Sequence, residues 1–398
     1  MKPIAQTDFA GNWVDDPVHR AWLQDQARAQ FGFFRRSLRN DGRFDTLGLD
    51  GSPLAGGVQE LHTTTRAVHS YALGKMTGEA DCDAIIDAGM RFLWDHHRDQ
   101  THGGYVWSVG ADGVADGTKL AYGHVFVLLA GSSAKKVGHP DADRLIADIS
   151  AIIDQHYWEE DHGLLCDEFT QQWQPFSDYR GMNANMHGVE ALLAAFEATG
   201  VTRYLDRAGR ILGFFIGRMA PQNGWRLPEH YNAAWQVDAD YAGNPMFRPA
   251  GTTPGHSLEL GRLALQHWHV SGRPDNSAVA DARRLIEQAL ADAWLPEGGL
   301  AYTLKHGGGV AIADRYWWPV TEAIGAVATL QKIAPQPSDE VWYRRLWQFA
   351  DAHFIDHQHG GWFPELDAAG VPVGRQFIGK PDIYHAIQAT LMPLTTAI

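Results

Sequence analysis

Apolar residues recur with a period of about 3.6 residues along most of the chain, a pattern typical of amphipathic helices. Residues that favour helix starts precede several of these segments, among them Asp141, Asn183, and Thr253 followed by Pro254. The sequence therefore predicts an all-α chain. The predicted helices lie at 17–39, 58–77, 81–98, 115–137, 141–158, 183–199, 201–219, 253–272, 275–294, 315–334, 338–356 and 382–395.

Short segments that combine glycine with aromatic or apolar residues recur between these helices and indicate an internal repeat. They are His102–Trp107, Asp161–Cys166, Gln222–Arg226, Glu297–Tyr302 and His359–Phe363. Measured from Gly103 through Gly163, Gly224 and Gly298 to Gly360, the steps are 60, 61, 74 and 62 residues. Because glycine adopts the positive φ that tight turns require, each segment predicts a turn with a short strand or hairpin.

Twelve helices in six pairs, repeating about every 60 residues, fit a closed ring in which one helix of each pair lies inside. An open solenoid has the same periodicity, but its terminal repeats carry polar outer faces. The last segment, from Ile383 to Met392, is instead apolar and contains a histidine. We therefore expect a single domain over residues 1–398, an (α/α)6 barrel with short β-hairpins in its loops.

The composition excludes several classes of partner. A net charge of −14 without any basic stripe argues against nucleic acid. No 18-residue apolar run is present, and the first residues do not resemble a signal peptide, so no membrane partner is expected. Cys82 and Cys166 are the only cysteines, which predicts a reducing, cytoplasmic location. The 15 tryptophans suit stacking on sugar rings or wedging between helices, and composition does not decide between the two.

One polar group recurs near the start of each alternate helix. From Arg66 through Tyr122, His187, His256 and Glu322 to His385 the steps are 56, 65, 69, 66 and 63 residues. A lone histidine in an apolar helix is usually a hydrogen-bonded core residue. Because six such groups keep the phase of the repeat, a closed ring brings them together in one central pocket.

A metal centre is one conceivable use of these groups. His256 and Glu259 have the i,i+3 spacing that places both side chains on one helical face. No HExxH motif is present, and the remaining inner helices offer one ionisable group each, whereas zinc sites normally need three protein ligands. We therefore predict no metal, and the absence of a nucleotide-binding signature predicts no cofactor.

Two more uses of the same groups involve carbohydrate. A glycoside hydrolase needs two carboxylates flanking the scissile bond, and Glu259 and Glu322 are candidates. Three histidines nevertheless suit proton transfer near neutral pH better than glycosidic cleavage. A sugar-binding toroid without catalysis would need the aromatic residues but not the histidines.

Three segments resemble the N-acylglucosamine 2-epimerase superfamily, most closely its aldose–ketose isomerase branch. They are Phe247–Glu259, Arg315–Glu322, and Asn183 together with His187. The resemblance implies an (α/α)6 barrel that isomerises or 2-epimerises a free sugar through a cis-enediolate without a metal. Conversion of D-mannose to D-fructose is the expected reaction, with 2-epimerisation of a free aldose as the alternative. A monosaccharide is the expected partner, bound by a monomer or homodimer.

The same resemblance implies roles for individual residues. His385 and His256 correspond to the pair that handles protons, His187 lies near the ring oxygen, and Arg66 stabilises the enediolate oxygens. At one position the chain departs from the isomerases: His62 occupies a place where an aromatic residue is usual, which affects the expected substrate range. The implied substrate-binding residues are Tyr122, Asn183, Glu259, Trp317, Trp318, Glu322 and Arg248.

Overall fold

Twelve main helices dominate the computed structural model, which describes residues 1–4, 9–54, 56–175, 177–241, 243 and 248–395. Phe247, the first residue of one motif above, lies outside these residues. The helices are α1 Pro17–Phe34, α2 Leu61–Met76, α3 Asp83–Phe92, α4 Ala121–Lys136, α5 Ala142–Ile152, α6 Met182–Thr199, α7 Thr202–Leu212, α8 Pro254–Val270, α9 Ser277–Ala293, α10 Trp317–Ile333, α11 Pro337–Phe349 and α12 Tyr384–Leu391.

The even-numbered helices form the inner wall of a closed ring. Each of α2, α4, α6, α8 and α10 contacts the next inner helix, and α12 contacts α2 to complete the circle. Five odd-numbered helices, α3 to α11, pack outside against the inner helix that precedes them in the chain, and α1 packs against α12. The (α/α)6 barrel predicted from the repeat is confirmed. None of the described helices is long and apolar enough to cross a membrane.

Burial explains the two layers of helix. In α10 nearly every side chain is buried, because this helix faces the barrel axis on one side and the outer layer on the other. The outer helix α7 is amphipathic: Tyr204, Ala208 and Ile211 are buried, while Arg203 on the opposite face is exposed. Each large apolar side chain buried in this way contributes about 1.5–3 kcal/mol.

In the part of the chain that the structure describes, fifteen short strands lie in the connecting loops. Two-residue strands come directly before α2, α4, α6 and α10, and each pairs with a strand from the next hairpin of the chain: β3 with β4, β6 with β9, β10 with β11, and β14 with β15. These pairings fix where the inner helices begin. The strands are β1 Thr46–Leu47, β2 Pro53–Leu54, β3 Gln59–Glu60, β4 Ser108–Gly110, β5 Gly113–Asp116, β6 Lys119–Leu120, β7 Trp158–Glu159, β8 Leu164–Leu165, β9 Glu168–Phe169, β10 Arg180–Gly181, β11 His230–Tyr231, β12 Thr303–Leu304, β13 Val310–Ile312, β14 Arg315–Tyr316 and β15 Glu365–Leu366.

Buried lysines anchor two of the glycine turns. Gly103 has a φ of +73°, which confirms the predicted turn. Its carbonyl accepts a hydrogen bond from Lys119, which also forms an ion pair of 3.1 Å with Asp99. Lys380 repeats this arrangement with Asp356, at 2.6 Å, and the carbonyl of a second glycine turn. The same buried ion pair therefore recurs in two of the sequence repeats.

Several predicted helix boundaries were wrong. The helix expected at 115–137 begins at Ala121, because residues 113–116 and 119–120 form strands. Asn183 is not a cap but the second residue of α6, after Gly181 at the N-cap position. Asp141 and Thr253 occupy N-cap positions without forming a side-chain cap hydrogen bond. Wider π-helical turns continue α3, α5, α7 and α11, at 93–97, 153–157, 213–219 and 350–354.

Candidate active site

The first two turns of the inner helices meet at one end of the barrel axis. Arg66, His187 and Glu322 are the sixth residues of their helices, and Tyr122 and His385 are second residues. Because every inner helix points the same way, these side chains converge as the repeat predicted. The N-terminal ends of the helices also carry partial positive charge, which favours an anion in the pocket.

Arg66 is held by a carboxylate and a phenol. Its guanidinium forms an ion pair of 3.0 Å with Asp382 and donates a hydrogen bond of 2.8 Å to the hydroxyl of Tyr122. The rings of Phe126 and Tyr384 lie 4.7 and 4.6 Å from the guanidinium carbon. Burial opposes the charge, but Tyr122 and Asp382 outweigh it and raise the pKa of Arg66. The pocket therefore contains a fixed, permanently charged cation.

His256 forms a pair with a carboxylate that the sequence did not reveal. Its Nδ1 lies 2.9 Å from Oε2 of Glu229, and its ring stacks on Trp318 with a centroid distance of 5.0 Å. Glu229 is buried and also accepts from the backbone N–H of Thr253. Since a carboxylate accepts hydrogen bonds, Nδ1 carries the proton and Nε2 is left with a lone pair.

His385 forms a second pair of the same kind. Its Nδ1 lies 2.8 Å from Oε1 of Glu322, and its ring centroid lies 6.0 Å from that of Trp318, the residue on which His256 stacks. Burial works against the charge of Glu322, but Arg262 at 3.3 Å and His385 hold its pKa below the usual value. Two imidazoles, each oriented by a carboxylate, thus contact one tryptophan.

His187 lies between two buried carboxyl groups. Its Nδ1 is 3.5 Å from Glu190 and 3.5 Å from Glu259. Burial lowers the pKa of His187 to about 4, so the ring is neutral at physiological pH. Although burial opposes it, the hydrogen bond from His187 first, and then the neighbouring His69 and Arg262, hold the pKa of Glu190 below its usual value. Glu190 also accepts a hydrogen bond from the hydroxyl of Tyr384.

Glu259 is the most deeply buried acid of the pocket. It is fully buried, and among the described residues neither of its oxygens has a hydrogen-bond partner. Burial first, and then the charges of Glu322 and Glu190, raise its pKa well above the usual value. Glu259 is therefore placed to be a neutral acid, which can donate a hydrogen bond.

Two groups of side chains could each supply three ligands to a metal, contrary to the expectation that the inner helices other than α8 offer one ionisable group each. His187, Glu190 and Glu259 form one, and Glu259, Glu322 and His385 form the other, with ligand atoms within 4.8 Å. α6 and α8 each carry more than one ionisable residue. Arg262 lies 3.3 Å from Glu322 and 3.8 Å from Glu259, so a cation already balances these acids. The absence of a metal stays a prediction.

Three of the residues discussed above lie at the margin of the pocket. Asn183 is half-buried, and its Oδ1 has no hydrogen-bond partner in the described chain. His62 stacks almost parallel on Trp107, with ring centroids 5.1 Å apart, and burial lowers its pKa to about 3. Arg248 pairs with Glu168 at 2.7 Å, and its guanidinium covers the ring of Tyr179.

Two further residues, which the resemblance implied to bind substrate, lie next to His385. Trp317 and Trp318 are both buried beside His385. The functional side chains that sequence reasoning missed are Glu229, Asp382, Glu190, Arg262 and Tyr384. Glu190 and Arg262 follow His187 and Glu259 by three residues, a spacing that could have identified them. Glu229 lies in a loop outside any helical period, so no signal pointed to it.

The chain is similar in sequence to known proteins over nearly its whole length. The model of the N-acylglucosamine 2-epimerase family matches residues 42–389. The D-mannose isomerase of Thermobifida fusca is 39% identical over 96% of both chains, and that of Pseudomonas cannabina pv. alisalensis is 36% identical over 96% of this chain and 94% of its own.

The chain is also similar in fold to solved structures of this family. A crystal structure of D-mannose isomerase superposes with a TM-score of 0.90 at 31% identity, covering 98% of this chain and 99% of the other. The cellobiose 2-epimerase of Spirochaeta thermophila shares the fold, with a TM-score of 0.84 at 20% identity over 94% and 95% of the two chains.

Proposed function

Because this chain belongs to the N-acylglucosamine 2-epimerase family, we propose that it is an aldose–ketose isomerase that interconverts D-mannose and D-fructose. The relatives named D-mannose isomerase span nearly its whole length. The observation that carries the proposal is the pair of imidazoles on Trp318, each oriented by a carboxylate, in a pocket that contains Arg66.

The reaction needs a base at carbon and a cation at oxygen. With open-chain mannose bound, a neutral imidazole of the enzyme removes the proton from C2. The electron pair of that C–H bond then forms the C1–C2 double bond. The carbonyl oxygen at C1 becomes negatively charged, and Arg66 and the hydroxyl of Tyr122 stabilise it. The proton of the C2 hydroxyl passes to O1. The imidazolium then returns its proton to C1, the C2 carbonyl forms, and the product is fructose.

We assign the C2 proton to His385 and ring opening to His187 and His256. Glu322 holds His385 in the tautomer whose Nε2 is a base, and it stabilises the imidazolium that forms. His187 is neutral and can accept a hydroxyl proton, and the buried Glu259 behind it is placed to stay a neutral acid. The six helix N-termini around the pocket favour the enediolate.

Glycoside hydrolysis fits this site less well. It needs one carboxylate and one carboxylic acid on either side of the scissile bond. Glu322 already forms a hydrogen bond with His385 and an ion pair with Arg262. Glu259 is fully buried behind His187.

Product analysis from D-mannose tests the proposal. Chromatography of early time points should show fructose formed at the rate at which mannose disappears, with glucose a minor product at most. In D₂O a carbon-bound deuterium should appear at C1 of fructose whenever the transferred proton exchanges with solvent. Glucose formed first would show that His256 delivers the proton to the opposite face of C2, which is epimerisation. No conversion, with binding retained, would indicate a sugar-binding protein.

The proposal extends to the cellular location, oligomeric state and domain organisation of the enzyme. We place it in the cytoplasm, as a monomer or homodimer that acts as one catalytic domain. Both cysteines are free and buried, which accords with a reducing compartment. The net charge of −14 supports the absence of a nucleic-acid partner.

A further inference from the structure

A second cavity lies on the barrel axis, at the end opposite the active site. It encloses about 340 Å³, a volume within the range of small-molecule sites. We call it the lower cavity. All six inner helices contribute to its wall near their C-terminal ends, through Met76, Ser133, Ala194, Gln266, Thr329 and Gln388.

The charged groups of the lower cavity are already paired. Lys136 forms an ion pair of 2.7 Å with Glu197 at the rim, and Lys332 donates a hydrogen bond of 2.6 Å to the backbone carbonyl of Met392. Arg262 pairs with acids of the active site. The six helix C-termini carry partial negative charge that disfavours an anion, while the lysines disfavour a cation. The wall therefore suits an uncharged molecule.

Neutral polar groups of the wall lack partners. The Nε2 atoms of Gln388 and His69 have no hydrogen-bond partner among the described residues, and these residues are only 5% and 7% exposed. The other nitrogen of His69 bonds to Ser133 at 2.7 Å, and burial lowers the pKa of His69 to about 4, so its ring is neutral. Gln266 adds an amide, and Leu129 an apolar surface. Hydroxyl groups on a compact carbon frame match this mixture.

The floor between the two cavities is made of side chains that serve both. Glu190 lines the lower cavity and contacts His187 of the active site. Arg262 lines it as well, and pairs with Glu322, which orients His385. A molecule that contacts Glu190 or Arg262 from below thus acts on two histidines of the active site without touching the substrate.

We propose that the lower cavity is a second binding site, for an uncharged polyhydroxylated small molecule such as a monosaccharide or hexitol. Its occupant acts on His187 through Glu190 and on His385 through Arg262. The binding part of this inference is independent of the proposed isomerase activity, and only the coupling part rests on it.

Thiol protection tests binding. Ala194→Cys places a thiol in the wall, and the native Cys82 and Cys166 give little background because burial raises their pKa to about 11 and about 12. D-Mannitol, which has no carbonyl group to isomerise, is the probe. At ten times its Kd it should slow alkylation by iodoacetamide about tenfold, while sulfate should leave the rate unchanged. The matched control is Ala280→Cys on the exposed face of α9, which mannitol should not protect.

Three results would overturn the binding site. Mannitol that fails to slow alkylation of Ala194→Cys would show that the cavity holds only water. Equal slowing of both variants would show a general effect of the polyol. A thiol at 194 that iodoacetamide does not reach would show that small molecules do not enter.

Steady-state kinetics with mannose test the coupling. In the wild type, mannitol should lower kcat at least about twofold, in addition to any rise in KM from competition at the active site. Ala194→Phe fills the lower cavity and should abolish the effect on kcat while keeping the effect on KM, whereas Ala280→Phe should behave as the wild type. Protection of the thiol without any change in kcat would refute the coupling. Absence of isomerase activity would refute the proposed function and leave the alkylation result intact.

Discussion

At the scale of single residues, the site consists of histidines whose second ring nitrogen is occupied by a carboxylate. Glu229 holds His256, and Glu322 holds His385. In each pair the acid fixes the tautomer and stabilises the imidazolium formed during proton transfer. Because the histidines transfer protons and the carboxylates orient the histidines, we expect different losses of kcat when each is replaced.

Replacing a histidine should cost more activity than replacing its carboxylate. His256→Ala and His385→Ala should each lower kcat by roughly two to four orders of magnitude, the usual range for a general acid or base. Glu229→Gln removes a charged hydrogen bond of about 1.5–3 kcal/mol, equivalent to about ten- to a hundredfold in kcat. Circular dichroism should remain that of the wild type. A shift of the pH profile of kcat in Glu229→Gln distinguishes positioning of His256 from a merely structural role.

Chelation should leave the isomerase active. Arg262 already places a positive charge among Glu259, Glu322 and Glu190, so the buried acids need no added cation. Turnover after dialysis against EDTA, followed by addition of Mg²⁺, Mn²⁺ or Zn²⁺, should stay at the untreated level. Loss of activity that one of these ions restores would instead assign the two three-ligand groups to a metal.

The polar residues that recur once per helix pair could be predicted from the sequence, whereas the carboxylates that contact them could not. Arg66, His187 and His385 lie where the spacing placed them, because helical periodicity and ring closure together determine position. Glu229 reaches His256 through an irregular loop, and no period encodes the path of a loop. Arg248 forms an ion pair with Glu168, and its predicted role in substrate binding stays a prediction.

At the scale of elements, the inner helices are positioned by what comes directly before them. A two-residue strand precedes each of α2, α4, α6 and α10, and strand pairing to the next hairpin holds it. Sequence periodicity alone extended α4 to residue 115, six residues before its start at Ala121. Strands this short carry no period of their own, so propensity along one chain does not reveal them.

The buried lysines should be essential to these loops. Lys119→Met leaves Asp99 buried without its cation, and we expect a loss of about 3–5 kcal/mol in the free energy of unfolding. The double variant with Asp99→Asn should be more stable than Lys119→Met alone, because the uncompensated charge is gone. Urea unfolding of both variants measures the difference. Equal stability of the single and double variants would mean that the lysine acts only through its carbonyl partners.

At the scale of the whole molecule, buried neutral histidines tie stability to pH. Burial lowers the pKa of His62 and His124 to about 3, and of His19, His69, His97 and His187 to about 4. The unfolded chain binds protons near pH 6.5, while the folded chain does not until the pH is lower. The stability that these groups contribute is therefore complete above pH 6.5 and is lost as the pH falls toward 4.

Thermal unfolding between pH 7 and pH 5 should show this loss. Each such histidine contributes at most about 1.4 kcal/mol per pH unit to the slope of stability against pH. His124→Gln should reduce the slope of stability against pH by the contribution of that one histidine. Tyr157→Phe, which removes the hydroxyl 3.1 Å from His124, should lower stability and keep the slope. An unchanged slope in His124→Gln would contradict the assignment.

The placement of the reacting groups on the first turns has a consequence for protein engineering. Stability comes from the ring of apolar helices, whereas chemistry comes from a few side chains at its upper edge. A mutant library confined to the first turns of the six inner helices can therefore explore new sugars and new reactions while the barrel retains its margin of stability.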